Sequence, residues 1–237
     1  MTRDLRTALT CVFGTAFLAA ASAASAADKQ NVVEPFNGKD LSGWVLKQPQ
    51  GSQWVAGIAK MDPVNPRELA VTEPTEGEGQ LVNKKAHGVD IYTEQKFGDC
   101  TVTLELMVPK GSNSGVYLMG NYEIQVLDSF GKEKVGAGDI GGLYGAAAPL
   151  LNAAKAPGEW QEFVIEFSAP RFENGNKIAN AVFKKVTLNG KVIHENVEMK
   201  GITGGSIGGG EKPTGPLMFQ GNHGPVAYRN IKIAVAE

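Results

Sequence analysis

The sequence predicts an all-β protein, a sandwich or barrel of antiparallel strands. Three observations predict it. Glycine (30) and proline (12) punctuate the chain at short intervals. The runs between them are short and rich in Val, Ile, Tyr, Phe and Thr, which suit a pleated, half-buried surface. Beyond residue 27, no apolar pattern of helical period continues for ten residues or more.

The first stretch stands apart from that fold. Arg3 and Arg6 give a positive start, residues 8–21 are apolar, and SAASAAD supplies small residues before Asp28. This is the pattern of a secretory signal peptide over residues 1–27, with cleavage expected after Ala26 or Ala27. The apolar run falls short of the ~20 residues that cross a bilayer, so no transmembrane segment is expected after cleavage. The mature chain, residues 28–237, is expected as a single domain outside the cytoplasm, periplasmic or secreted. Cleavage removes Cys11, and Cys100 then has no disulfide partner. In GDCTVTLEL, Cys100 enters a strand and reads as a small buried hydrophobe. The formal net charge is −2 with no basic cluster, which argues against nucleic acid as a partner.

The strand signals, in chain order, fall at 43–47, 53–59, 68–72, 80–83, 90–93, 100–108, 114–119 and 122–127. They continue at 160–169, 182–188, 191–198, 216–220 and 226–235. Asn189-Gly190 is the strongest hairpin signal, because both central residues of a type I′ turn need positive φ. APLLNAAKAP (148–157) has room for one helical turn. Two longer segments, 130–151 and the glycine-rich 201–215, lack strand character; loops of that length are either functional or tolerated surface insertions.

Side chains alternate faces along a strand, so each run can be given a phase. In CTVTLELMV, Val102, Leu104, Leu106 and Val108 share one face, and Thr103, Glu105 and Met107 the other. In YEIQVLD, Tyr122, Ile124 and Val126 face the core, while Glu123, Gln125 and Leu127 face away. Tyr117 and Met119 join the second set if the turn at 120–121 keeps register. A face carrying Glu105, Glu123, Gln125, Tyr117 and methionines suits the floor of a groove for a polyhydroxylated ligand; a solvated sheet face is the plainer alternative. Asp128 has the opposite parity to Glu123 and is expected to end its strand and shape the turn. Retaining glycosidases hold two carboxyl groups about 5–5.5 Å apart. This run does not supply that arrangement, and no E-x-D-x-x-E run replaces it.

In GNHGPVAYRNI, glycines close to His223 leave its ring little to pack against, which fits either a functional role or a plain structural hydrogen bond. Arg229 shares parity with Ile231, Ile233 and Val235, so it points inward or needs a bulge, and a buried arginine needs a carboxylate such as Asp128 or Glu105. His87 and His194 sit in polar runs and read as surface residues. Trp44, Trp54 and Trp160 read as core anchors. No local spacing of a metal site, no G-x-S-x-G elbow and no phosphate loop is present.

These residues carry a pattern that resembles the 3-keto-disaccharide hydrolase domain family. The resemblance runs through FNGKDLSGW (36–44), KFGDCTVTLELMVPKGSNSGVYLMGNYEIQVLDSFGK (96–132) and GGLYGAAAPLLNAAKAPGEWQEFVIEFSAPRF (141–172). It closes with VTLNGKVIHENVE (186–198) and TGPLMFQGNHGPVAYRNIKI (214–233). Residues 59–90 fit the family pattern less well. The resemblance implies a concanavalin A-like jelly roll of two antiparallel sheets. It also implies cleavage of glycosides whose sugar carries a ketone at C3, by removal of the C2 proton, elimination of the C1 oxygen and addition of water. Such chemistry needs one base, an electrophile and a leaving-group acid. Within that reading Glu123 is the base or an enediol ligand, and His223 the acid or electrophilic donor. Asn113, Gln125, Tyr117 and Glu105 would meet the carbohydrate, and Arg229 would hold Asp128 and the groove wall. A divalent metal ion, if used, would have Glu123 and His223 as candidate ligands. The competing expectation is a non-catalytic, lectin-like carbohydrate-binding module, since one fold hosts many functions.

Overall fold

The computed structural model of the chain describes Met1, residues 31–75 and residues 77–236. Apart from Met1, the expected signal peptide lies outside the described residues. Among them no helix is long and apolar enough to cross a membrane.

The strands are β1 (Asn31–Val33), β2 (Trp44–Leu46), β3 (Trp54–Met61), β4 (Leu69–Thr72), β5 (Gln80–Asn83) and β6 (Ile91–Phe97). Next come β7 (Cys100–Met107), β8 (Asn113–Leu118), β9 (Tyr122–Leu127), β10 (Gln161–Ser168), β11 (Arg171–Glu173) and β12 (Asn176–Ala179). The chain ends with β13 (Ala181–Leu188), β14 (Lys191–Met199), β15 (Gly215–Phe219) and β16 (Val226–Val235). The large sheet runs β14-β13-β10-β7-β16-β5-β3-β4, with β1 beside β16, and the smaller sheet runs β2-β6-β15-β8-β9. The pairings are antiparallel, and the two sheets form the expected concanavalin-like jelly-roll sandwich. The expected strands are all present. β1, β11 and β12 were not legible, being short and mostly exposed, so no apolar alternation marks them. Asn189 and Gly190 turn β13 into β14 with φ of 52° and 73°. Residues 148–157 form no helix. Asn152 donates to the carbonyls of Ser129 (2.8 Å) and Lys132 (2.9 Å), and Leu150 N donates to Ile193 O (3.0 Å), which lace the segment down as an irregular loop.

The inward faces of both sheets supply one core. Val102, Leu104 and Leu106 of β7 meet Val116, Ile124 and Val126 of the smaller sheet, all 1% exposed or less. An aromatic column crosses the interior: Trp44 stacks on Phe219 (5.4 Å), Phe219 on Tyr228 (3.9 Å, 6° between planes), and Tyr228 on Trp54 (6.3 Å). Trp44 and Trp54 are the expected anchors. Cys100 is buried, and burial pushes its thiol up to about 12.

Geometry settles the orientation of Arg229 in β16 and corrects that of His194 in β14. The register of β16 on β7 shifts between Arg229 and Lys232, and Asn230 sits at φ 52°. This bulge flips the phase after Tyr228, so Arg229 turns away from the core although it shares parity with Ile231 and Ile233. It pairs with Glu105 (Nε–Oε2 2.6 Å) and lies 4.0 Å over the Trp160 ring. Trp160 is partly buried and anchors a second, smaller hydrophobic cluster of Ala59, Leu69, Val82, Met107 and Ala227 rather than the core between the sheets. His194 is not a surface residue: it is 2% exposed, with Nε2 2.7 Å from Gly141 O, and burial lowers its pKa. The β13–β14 register shifts between Val186 and Thr187, where Ile193 is the extra residue of β14 next to His194.

Candidate active site

A cleft of about 270 Å³ opens on the face of the smaller sheet that points away from the core. Its floor crosses the strands from β2 to β9. Lys47 follows Val45 by two and Asp90 precedes Tyr92 by two, so both share the outward parity of their strands. Lys47 N donates to Asp90 O (2.9 Å), which continues the β2–β6 ladder into the cleft. Gln220 follows β15, Asn113 and Tyr117 come from β8, and Glu123 and Gln125 from β9.

Glu123 is central. It stands directly across from Tyr117 in the β8–β9 register, and its carboxyl fills the space above Gly115. A Cβ on Gly115 would overlap Glu123 Oε1 and come within 2.8 Å of Tyr117 Cε2, so any larger residue at that strand position would push both side chains aside. Glu123 is 3% exposed. Burial is the main cause that pushes its carboxyl up to about 7; the nearby Asp90 charge adds to this, and a hydrogen bond from Tyr117 opposes it. The Tyr117 hydroxyl also lies 3.1 Å from Gly204 O, so its single proton serves the carbonyl or the carboxyl, not both. Burial and the Glu123 charge raise the Tyr117 phenol. Gln220 Nε2 is 3.4 Å from that same hydroxyl.

The two long loops build the walls. Residues 141–144 run along the free edge of β9: Gly141 N donates to Gln125 O, Gln125 N to Gly142 O (both 2.8 Å) and Tyr144 N to Glu123 O (3.1 Å). They cover an edge that would otherwise expose unpaired peptide groups and set Tyr144 at the rim. The glycine-rich loop is pinned at Thr203, whose Oγ1 accepts from Glu123 N (3.0 Å) and donates to Asn121 O (3.0 Å). Gly204 and Gly205 then pass over Tyr117 and line the cleft.

His223 reaches the rim through the GNHG turn. Asn83 Nδ2 holds that turn by donating to Gly221 O (2.9 Å) and Gly224 O (2.8 Å). A Cβ on Gly224 would overlap Ser112 Oγ, which explains why glycine flanks the histidine. His223 is exposed and its Nδ1 contacts Asn222 Oδ1.

Of the residues expected in the groove, Glu123, Gln125, Tyr117, Asn113 and His223 converge on this cleft. Asn113 Oδ1 is buried there without a partner. Glu105, Arg229 and Asp128 do not join them. β7 and β9 have matching outward phase but belong to opposite sheets, so Glu105 and Glu123 point to opposite sides of the sandwich. Arg229 goes with Glu105 and does not hold Asp128. Asp128 accepts from Gly111 N (2.8 Å) and Phe130 N (3.3 Å), shaping the turn as its parity implied. Met119 does not keep the outward register; at φ 57° it turns into the core. Lys47, Asp90, Gln220, Tyr144 and Asn222 were missed. Strand parity could have found the first three, because each sits one residue beyond a strand end with outward phase. Among the described residues no group of three or more His, Cys, Asp and Glu could hold a metal ion. Glu123 and His223, the candidate metal ligands, both line the cleft.

A jelly-roll sandwich with a polar cleft over one sheet, holding a buried carboxyl among hydroxyl and amide groups, is the architecture of a carbohydrate-active protein. The chain belongs to the 3-keto-alpha-glucoside-1,2-lyase-like domain family, whose model matches residues 31–234. A crystal structure from Parabacteroides distasonis, provisionally described as a glycosyl hydrolase, is 28% identical with a TM-score of 0.65; the match covers 86% of this chain and 84% of that one. Two further structures from that organism with the same description share the fold. One is 22% identical (TM-score 0.55, covering 86% and 98%) and the other 18% (TM-score 0.56, covering 87% and 94%). Among curated proteins none matches the chain.

Proposed function

We propose that the protein cleaves 3-keto-glycosides, including 3-keto-disaccharides, by C2 deprotonation, elimination and hydration. The observation that carries this reading is Glu123: one buried carboxyl in a polar cleft, pushed up to about 7. A general base is most effective with a pKa near the working pH. Glu123 takes the C2 proton, and the C2–H electron pair moves onto the C3 ketone oxygen as an enolate. The enolate then collapses: the C3 carbonyl re-forms, C1=C2 forms, and the C1–O bond breaks with its pair leaving on oxygen. His223 at the rim protonates that oxygen. Water then adds at C1, giving its other proton back to His223, while Glu123, its proton exchanged with solvent as the leaving group departs, protonates C2, so the net change is hydrolysis. Asn113, Gln125, Tyr117 and Gln220 bind sugar hydroxyls.

Two-carboxylate glycoside hydrolysis has less support. Asp90 is the second carboxyl of the cleft, but Lys47 Nζ (3.2 Å) and Gly221 N (3.2 Å) occupy its two oxygens. The cleft volume lies near the lower end of small-molecule sites, about 300–1,000 Å³, and suits one sugar ring with its leaving group at the rim. On the strength of residues 1–27, the substrate is met outside the cytoplasm.

The test is release of free sugar from a 3-keto-disaccharide and from its unoxidised parent, by wild type, Glu123→Gln and His223→Ala. The proposal expects release from the keto substrate alone, abolished in Glu123→Gln and reduced in His223→Ala. Binding of either sugar without release would instead assign a carbohydrate-binding module.

A further inference from the structure

The elimination leaves one requirement unmet: something must carry the negative charge that moves onto the C3 oxygen. We propose that Lys47 is that group, an ammonium that donates a hydrogen bond to the enolate oxygen; this rests on the 3-keto-glycoside reading above.

Three observations carry it. Lys47 is the cationic lysine or arginine lining the cleft, on the same outward face as Glu123. Its ammonium is positioned by two contacts, Nζ lying 3.2 Å from Asp90 Oδ2 and 3.3 Å from Ser206 O. Asp90, with its side chain 8% exposed, is itself held by Gly221 N, so the anchor belongs to the sheet and to the turn that carries His223. An ammonium has three N–H donors and no acceptor. Two are used, and the third remains for an oxygen in the cleft. The Lys47 side chain is 38% exposed, which keeps that donor reachable. His223 fits this role less well: it is exposed at the rim and its Nδ1 already contacts Asn222 Oδ1. A pre-positioned donor aimed at developing charge needs no reorganisation when the charge appears.

The Ser206 contact gives the residue a second consequence. The same ammonium ties the glycine-rich loop, which lies over Tyr117, to the strand end opposite Glu123. A purely structural Lys47 would act through that tie, altering substrate affinity and loop order without touching the chemical step. The groups facing Glu123 are Tyr117 of β8, Asp90 and Lys47 from the β2–β6 end, and Tyr144 and His223 at the rim.

The test compares wild type, Lys47→Met and Lys47→Arg on a 3-keto-glucoside with a chromogenic leaving group, over a pH series and with C2-deuterated substrate. The expected result for Lys47→Met is a loss of ~10²–10³ in kcat, the range for removing one oxyanion donor, with KM within a few-fold. Its C2 deuterium isotope effect is at least that of wild type, because enolate formation has slowed. Removing a positive charge and unpairing Asp90 makes ionised Glu123 less favourable, so the acid limb of kcat/KM moves to higher pH. Lys47→Arg recovers part of the rate. Melting temperatures check the fold, and Lys47→Gln, which also removes the charge, takes the place of Lys47→Met with the same expected and overturning results if that variant does not fold. A Lys47→Met kcat within a few-fold of wild type, or a change confined to KM, overturns the assignment while leaving the elimination reading intact. Wild type inactive on every 3-keto-glycoside overturns both.

Discussion

Replacing Glu123 by glutamine should make the protein more stable, and only above a certain pH. The carboxyl titrates at about 7 in the folded protein against 4.5 for a free side chain. The folded state therefore holds its proton more tightly than the unfolded chain. At pH 4 both states are protonated and the carboxyl costs nothing. Between 4.5 and about 7 the unfolded chain ionises first, which favours unfolding, and above 7 the full cost is present. A difference of roughly 2.5 pK units at about 1.4 kcal/mol each amounts to about 3 kcal/mol. Glutamine keeps the shape and the Tyr117 hydrogen bond without the charge. Urea unfolding of wild type and Glu123→Gln at pH 4 and pH 8.5 measures the difference. Glu123→Gln should match wild type at pH 4 and exceed it by about 3 kcal/mol at pH 8.5, which for a chain of this size is a melting shift on the order of 6–12 °C. An equal difference at both pH values, or none at either, would refute the claim that burial of this carboxyl perturbs it. The active site would then be storing no such strain.

Three other predictions follow from particular contacts. Gly115→Ala places a Cβ against Glu123 Oε1; it should cost about 1–3 kcal/mol in stability as an overpacked site and ~10²-fold in kcat/KM by displacing the base, read by unfolding and by turnover. Arg229→Met removes a half-exposed ion pair to Glu105 and a cation–π contact to Trp160; after solvent screening this should cost about 1 kcal/mol and leave kcat/KM unchanged, since both partners lie on the far sheet. His194 has its pKa lowered by burial, so as pH falls below about 6.5 the unfolded chain takes up a proton that the folded one resists. Wild type should therefore lose stability between pH 7 and 5 relative to His194→Gln, measured as the difference in their urea midpoints.

Much of the fold was legible because its strands are long and regularly alternating. β9 was readable residue by residue: Tyr122, Ile124 and Val126 went inward, Glu123 and Gln125 outward. What parity along one strand cannot tell is which sheet the strand joins. Glu105 and Glu123 were assigned to one groove because both point away from the core, yet the core separates them. Parity left Arg229 either inward or at a bulge; the bulge at Asn230 turns it outward beside Glu105, on the sheet away from the cleft. Lys47 and Asp90 went unnoticed because neither belongs to a local motif; 43 positions separate them, and only the β2–β6 pairing joins them. His194 misled by its neighbours, because HENVE looks polar while its ring is buried on Gly141 O. The glycine-rich loop gave a length signal but no placement, which depends on Thr203 bonding to Asn121 and Glu123.

The most direct test of the central claim follows the C2 proton. A methyl 3-keto-α-glucoside is incubated with wild type or Glu123→Gln in deuterated water, and release of methanol and deuterium at C2 are followed by NMR against an enzyme-free control. Wild type should release methanol and yield 3-keto-glucose labelled at C2, and Glu123→Gln should do neither above the control rate. Methanol release by wild type without label at C2, or full activity in Glu123→Gln, would contradict it.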